Sequence, residues 1–161
     1  EADAEGTGLN GSCLIIVDID HFKRCNDTYG HLFGDKVIRI VGQALASNVK
    51  GRDTAARIGG EEFAVFLPQT PLHGACALAE TLRRAVEQGR IKRVETGEIV
   101  SKITVSLGVA AYESGETFEN FMRRADHALY AAKAGGRNRV SVAEAAPESP
   151  AANRPKRAQD A

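Results

Sequence analysis

Three polar clusters break the apolar patterning of this 161-residue chain, and each holds residue types with definite chemistry. The first is Val17-Asp18-Ile19-Asp20-His21-Phe22-Lys23, which begins at the last residue of the apolar run 13–17. A carboxylate where a buried strand ends is costly unless it is paired or holds a metal. Asp20 suits the N-cap of a short helix over residues 21–29, whose first N–H groups, on His21 and Phe22, stay free to meet an anion. Carboxylate and helix start together point to a divalent cation bridging to a phosphate, and hard oxygen donors suit Mg2+ (or Mn2+). The plainer alternative makes Asp20 a simple cap and Asp18 the end of a sheet edge.

The second cluster is Gly59-Gly60-Glu61-Glu62-Phe63. A glycine pair allows a tight two-residue hairpin turn with positive φ and lets a ligand approach the backbone. Side chains alternate along a strand, so Glu61 and Glu62 should point apart unless the turn rotates one of them. That favours a division of labour, with one glutamate on a metal and the other facing a substrate group; the alternative is a solvated acidic turn. The third cluster, Lys133-Ala134-Gly135-Gly136-Arg137, places two cations around a helix end. Cations are favoured there in any case; the functional reading is a phosphate clamp.

The elements that position these groups are legible from periodicity. Residues 13–17 suit a central strand buried on both faces. Gly34-Asp35 opens a longer helix with Val37, Ile38, Ile40, Val41, Ala44 and Leu45 on its core side. Residues 53–58 and 62–67 read as a hairpin, with Phe63, Val65 and Leu67 on one face. A helix from 71 or 72 to 88 buries Leu72, Cys76, Ala79, Leu82 and Val86. A short hairpin can form within 91–102, then a strand over 103–111. The helix over 118–134 is apolar at Phe118, Phe121, Met122, Ala125, Leu129 and Ala132, and a last strand covers 139–142. The order is β-α-α-β-β-α-β-α-β, an α+β fold with a mostly antiparallel central sheet and helices packed on it.

The body therefore spans 12–142, led by a loop over 1–11 that enters from an upstream segment. Residues 143–161 hold three of the five prolines, seven alanines and no aromatic residue, and are expected to be a disordered tail. Cys13, Cys25 and Cys76 form no CxxC pair, which argues against a disulfide framework or structural zinc and for a reducing compartment. No apolar run approaches the roughly 20 residues of a membrane span, so the expected location is cytoplasmic, as the cytosolic part of a larger, even membrane-bound, protein if such a parent exists.

Taken together, the ordered set resembles the GGDEF family, the diguanylate cyclases. Asp-x-Asp-x-Phe-Lys follows a strand, Gly-Gly-Glu-Glu-Phe lies in a hairpin, and Lys-x-x-x-Arg-Asn follows a helix. Asn26-Asp27-Thr28-Tyr29-Gly30-His31, Gly34-Asp35 and Ala125-Asp126-His127-Ala128-Leu129-Tyr130 match as well, so the resemblance covers about residues 13–142. It implies a ferredoxin-like nucleotidyl cyclase fold that condenses two GTP into cyclic di-GMP and releases two pyrophosphates. It implies further that Asp18 and Glu61 hold Mg2+ with the Ile19 carbonyl, and that Glu62 activates the 3′-hydroxyl. Asn26 and Asp35 would contact guanine, Lys133 and Arg137 the terminal phosphates, and Gly59 and Gly60 would let the nucleotide lie close. His21, Phe22 and Lys23 belong to the substrate rim, His21 mainly through its backbone. An aspartate can accept from guanine N1–H and the 2-amino group, which adenine does not offer in that arrangement.

Two 3′-to-5′ links need two GTP, so two subunits must face one another and the active species is a homodimer with its site at the interface. An upstream sensory or dimerising domain is expected, and the fragment alone should be mostly monomeric and weakly active. Two departures from the family pattern stand out. The product-inhibition motif Arg-x-x-Asp reads Lys50-Gly51-Arg52-Asp53 here, and lysine cannot match arginine's bidentate, stacking contact. Thr7-Gly8-Leu9-Asn10 resembles part of the family's leading segment but lies too close to Cys13 to fit a helix between them. It reads as coincidence, and the family's first helix as missing.

The charge balance, 21 Lys+Arg against 21 Asp+Glu, excludes a polybasic nucleic-acid binder. Residues 1–11 carry −3 and 143–161 carry 0, so the body holds 18 bases and 15 acids. Five of those acids (Asp18, Asp20, Asp35, Glu61, Glu62) belong to the expected site or its rim. Such a pocket should repel bare GTP and accept it with Mg2+. The competing readings are a silent GGDEF-like module that senses GTP or cyclic di-GMP, and a pure interaction domain. The intact polar set argues against both.

Overall fold

The computed structural model describes residues 8–93, 95–100 and 102–145. Most of the expected leading loop and tail lies outside the described residues. β1 (Cys13–Ile19) is buried along its whole length, as its uninterrupted apolar run requires. It pairs antiparallel with β3 (Glu62–Leu67) on one side and β6 (Val105–Ala111) on the other. β2 (Thr54–Arg57) forms one edge and β7 (Val140–Val142), parallel to β6, the other. The five-stranded order is β2-β3-β1-β6-β7, and β4 (Ile91–Lys92) with β5 (Ile99–Val100) makes a separate small hairpin.

The two-residue period of β1 sorts the helices. Cys13, Ile15, Val17 and Ile19 enter a core shared with α1 (Phe22–Tyr29), α2 (His31–Asn48) and α3 (Leu72–Gln88). Leu14 and Ile16 face the other way, against Phe121, Ala125 and Leu129 of α4 (Phe118–Ala134). Asp18 continues that second set, so the period alone carries its carboxylate to the α4 side. β3 sorts likewise: Phe63, Val65 and Leu67 join the larger core, while Ala64 and Phe66 pack on the α4 side, the side of Glu62. α4 approaches β6 so closely at Gly108 that a Cβ there would stand 2.2 Å from the Ala125 carbonyl oxygen.

The mostly antiparallel α+β architecture is the one expected, and several local details differ. Asp20 does not cap α1. That position belongs to His21, in left-handed backbone (φ 54°) with no side-chain cap, because Asp20's oxygens are engaged by Thr104, Ser106 and the Asn138 N–H. α2 begins at His31 rather than at Gly34-Asp35. Gly59 and Gly60 are not in the positive-φ region, and the register of the hairpin ends at Arg57 opposite Phe63, so the connection is longer than two residues. Phe118 is 53% exposed and Leu72 is also exposed, while Ala75 fills the α3 position assigned to its neighbour Cys76. The chain continues its ladder past the expected end of the body, since Ala143 N–H donates to the Val109 carbonyl. All three cysteines are free, and burial pushes the Cys13 thiol up to about 11. Among the described residues no helix is long and apolar enough to cross a membrane.

Candidate active site

Pairing of β1 with β3 sets Asp18 directly opposite Glu62. Lys133, in the last turn of α4, reaches down to this pair, with Nζ 3.1 Å from Asp18 Oδ2. Glu61 stands one residue before β3 begins, and its carbonyl accepts the Ile19 N–H at 3.2 Å, which ties the turn to the end of β1. Both Glu61 and Glu62 feel the charges of Asp18 and Lys133. Burial, and then the negative charge of Asp18, raises the pKa values of Glu61 and Glu62. Asp18 is raised chiefly by burial, against the pull of Lys133.

The turn is held from below. The Arg57 guanidinium donates to the carbonyls of Gly59 (3.1 Å) and Gly60 (2.7 Å), an anchor not singled out in the sequence. A Cβ on Gly59 would stand 3.5 Å from Glu62 Oε2, so the glycine leaves open the space beside that carboxylate. Beside it lies a cleft of about 460 Å3 lined by Glu62, Asp126, His127, Leu129, Tyr130 and Lys133. Asp126, His127 and Tyr130 were not assigned to the site from sequence. The signal was their place on α4, one and two turns before Lys133. Asp126 adds to the repulsion on Glu62.

The Lys133–Arg137 segment is a Schellman helix end. Arg137 N–H donates to the Ala132 carbonyl and Gly136 N–H to that of Lys133, with Gly136 at φ 120°. Only glycine adopts that backbone at no steric cost, so the glycine pair turns the chain and leaves Lys133 and Arg137 on either side of the turn. On the far side of β1, Gly34 packs on α1: a Cβ there would sit 1.8 Å from Asn26 Oδ1 and 3.3 Å from Phe22 Cζ. Asn26 Oδ1 is buried without a hydrogen-bond partner, and Asp35 is exposed next to Gly34. Phe22 is buried in the core and Lys23 is exposed. Lys50 and Asp53 share one turn, with Asp53 N–H donating to the Lys50 carbonyl and Gly51 at φ 64°.

The donor set fits a hard divalent cation. Asp18, Glu61 and Glu62 crowd negative charge that Lys133 only partly offsets, and the Ile19 backbone is tied to that of Glu61. Among the described residues no group of three or more His, Cys, Asp or Glu side chains is placed to hold a metal ion by itself.

The site thus joins an acidic sheet end to a cationic helix terminus beside an open cleft. The family profile described as diguanylate cyclase, GGDEF domain, matches residues 7–139, which takes in the segment 7–10 set aside above as coincidence. Diguanylate cyclase VdcA of Vibrio cholerae is 47% identical over 127 residues, covering 79% of this chain and 38% of the relative. Diguanylate cyclase DgcP of Pseudomonas aeruginosa is 47% identical over 130 residues, covering 81% of this chain and 19% of the relative. The chain thus spans well under half the length of these relatives. The crystal structure of the GGDEF domain of Caulobacter crescentus DgcB in complex with c-di-GMP superposes with a TM-score of 0.81 at 46% identity, covering 83% of this chain and 78% of that one. The active GGEEF domain of a Vibrio cholerae diguanylate cyclase gives a TM-score of 0.74 at 33% identity, covering 84% of each chain. The chain belongs to the GGDEF family of diguanylate cyclases.

Proposed function

We propose that this domain condenses two GTP into cyclic di-GMP in a Mg2+-dependent reaction at the interface of a homodimer. The observation that carries the reading is the convergence of Asp18, Glu61 and Glu62 with Lys133 beside one open cleft. The residues that would hold the cation are Asp18, Glu61 and the Ile19 carbonyl. When bound, it supplies charge neutralisation at the phosphates and a lowered pKa for a nearby hydroxyl. Glu62 takes the proton of the 3′-hydroxyl. The 3′-oxygen then bonds to the α-phosphorus of the facing GTP while the bond to its β-phosphate oxygen breaks. Two such steps close the ring and release two pyrophosphates. Raised basicity suits Glu62 to this task, since a carboxylate at its ordinary pKa is a weak base toward a sugar hydroxyl.

Lys133 and Arg137 offset the charge that develops on the departing pyrophosphate. Asn26, whose buried Oδ1 lacks a partner, and Asp35 read guanine; an adenine would leave the aspartate unpaired. Gly59 and Gly60 admit the nucleotide, and His21, Phe22 and Lys23 border it. Cyclic di-GMP inhibits weakly or not at all through Lys50 and Asp53. An upstream domain brings two subunits together, and the site works in the cytoplasm. The test is incubation with GTP and Mg2+ while monitoring cyclic di-GMP and pyrophosphate, alongside Glu62→Gln, which should lower turnover by about 10²-fold or more. A Glu62→Gln protein with full turnover would remove the proposed base.

A further inference from the structure

Asp20 and Asn138 are not used by the chemistry above, yet they form the most heavily bonded polar cluster beside it. Asp20, 6% exposed, accepts from Thr104 Oγ1 (2.7 Å), Ser106 Oγ (2.6 Å) and the Asn138 backbone N–H (3.0 Å). The Asn138 side chain is gripped from α3. Its Oδ1 accepts from Arg83 Nη1 at 2.9 Å, and its Nδ2 donates to Glu87 Oε2 at 2.7 Å. Arg83 is itself held by Glu80 and Glu87. The clamp acts on an unusual stretch of chain. Arg137 (φ 64°) and Asn138 (φ 46°) are consecutive non-glycine residues in left-handed backbone, which asparagine visits readily and arginine seldom. Such a conformation persists only where its surroundings over-determine it.

We propose that Asn138 is a positioning residue for Arg137. Clamped between Asp20 at the end of β1 and Arg83 with Glu87 on α3, it fixes the backbone from which the Arg137 guanidinium reaches the terminal phosphates. The proposal rests on the phosphate role of Arg137 given above. It makes α3, on the opposite face of the sheet from the cleft, a determinant of triphosphate affinity.

The test is binding of a GTP analogue with a methylene bridge between the α- and β-phosphorus, which cannot lose pyrophosphate, compared with GMP, both with Mg2+. Asn138→Ala should weaken the analogue by about tenfold and leave GMP within about twofold. In an Arg137→Ala background, Asn138→Ala should add nothing. Arg83→Ala, remote from the cleft, should weaken the analogue in the same selective way. Equal loss for GMP and the analogue, or the same loss with Arg137 already removed, would show a merely structural role and overturn the proposal. If Asn138→Ala fails to fold, Asn138→Gly tolerates the left-handed backbone but no longer holds it, so it should show the same selective loss of the analogue, and unchanged analogue binding would overturn the proposal. If Arg137→Ala binds the analogue as the unmodified protein does, the phosphate role of Arg137 fails and the positioning role with it. If Arg137→Ala loses affinity while the Asn138 and Arg83 variants do not, the positioning role alone fails.

Discussion

Replacing Gly108 by alanine tests whether the contact between α4 and the sheet sets both stability and the site. The new Cβ would lie 2.2 Å from the Ala125 carbonyl oxygen, 2.3 Å from the Leu129 nitrogen and 2.9 Å from the Leu129 Cα. All three atoms are backbone, so no side chain can rotate out of the way. Ordinary contact begins at 3.4 Å, so helix and sheet must part by about 1 Å, breaking the close packing of Phe121, Ala125 and Leu129 on Leu14 and Ile16. Overpacking of this kind costs about 1–3 kcal/mol, and a clash with helix backbone belongs at the upper end, about 3 kcal/mol. The same movement carries Lys133 off Asp18, a contact now 3.1 Å long. A misplacement of about 1 Å can lower turnover by about 10²-fold. Gly42→Ala is the internal control. It lies inside α2 with only Phe63 Cε1 nearby, at 3.6 Å, and should gain about 0.5–1 kcal/mol from helix propensity. Urea unfolding of both variants, read as midpoint shifts at constant slope, together with cyclic di-GMP production, checks the pair. A Gly108→Ala protein that loses less than about 1 kcal/mol and keeps full turnover would refute the reasoning.

Asp18, Glu61 and Glu62 are all held above their unfolded pKa values, so each binds its proton more tightly in the folded state. Their ionisation therefore destabilises the ligand-free fold at neutral pH, and that penalty is relieved as pH falls through the folded values. Glu62→Gln should raise the melting temperature of the metal-free protein at about pH 8, by an amount that shrinks toward about pH 4. A melting difference that does not change with pH would count against the crowding of these groups. Removal of Mg2+ by chelation should weaken GTP binding at least about tenfold, because three crowded carboxylates then face the bare triphosphate; calorimetry with and without the ion measures this, and equal affinity would contradict it. Lys50→Arg should create or strengthen cyclic di-GMP inhibition, since the turn already places residue 50 beside Asp53; unchanged inhibition curves would show that the lysine is not what weakens the site.

Much of this protein was legible in local patterning. The helix over 118–134 coincides with α4 because its apolar period and its glycine end agree, and the structure adds a Thr117 cap. The buried strand, the hairpin at the glycine pair and the three polar clusters were readable for the same reason: each rests on a chemical choice made within a few residues. What escaped was set by partners far along the chain. Asp20 reads as a helix cap, but Thr104, Ser106 and Asn138, 84 to 118 residues away, claim its oxygens. Asp126, His127 and Tyr130 are an ordinary polar helix face until α4 is laid beside β3 and that face becomes a cleft wall. The sequence by itself determined which side chains can bind a cation, a phosphate and a proton. Only the tertiary structure decided which of them meet. Desolvation and charge repulsion depend on separation in space, and pairing of β1, β3 and β6 under α4 sets those separations.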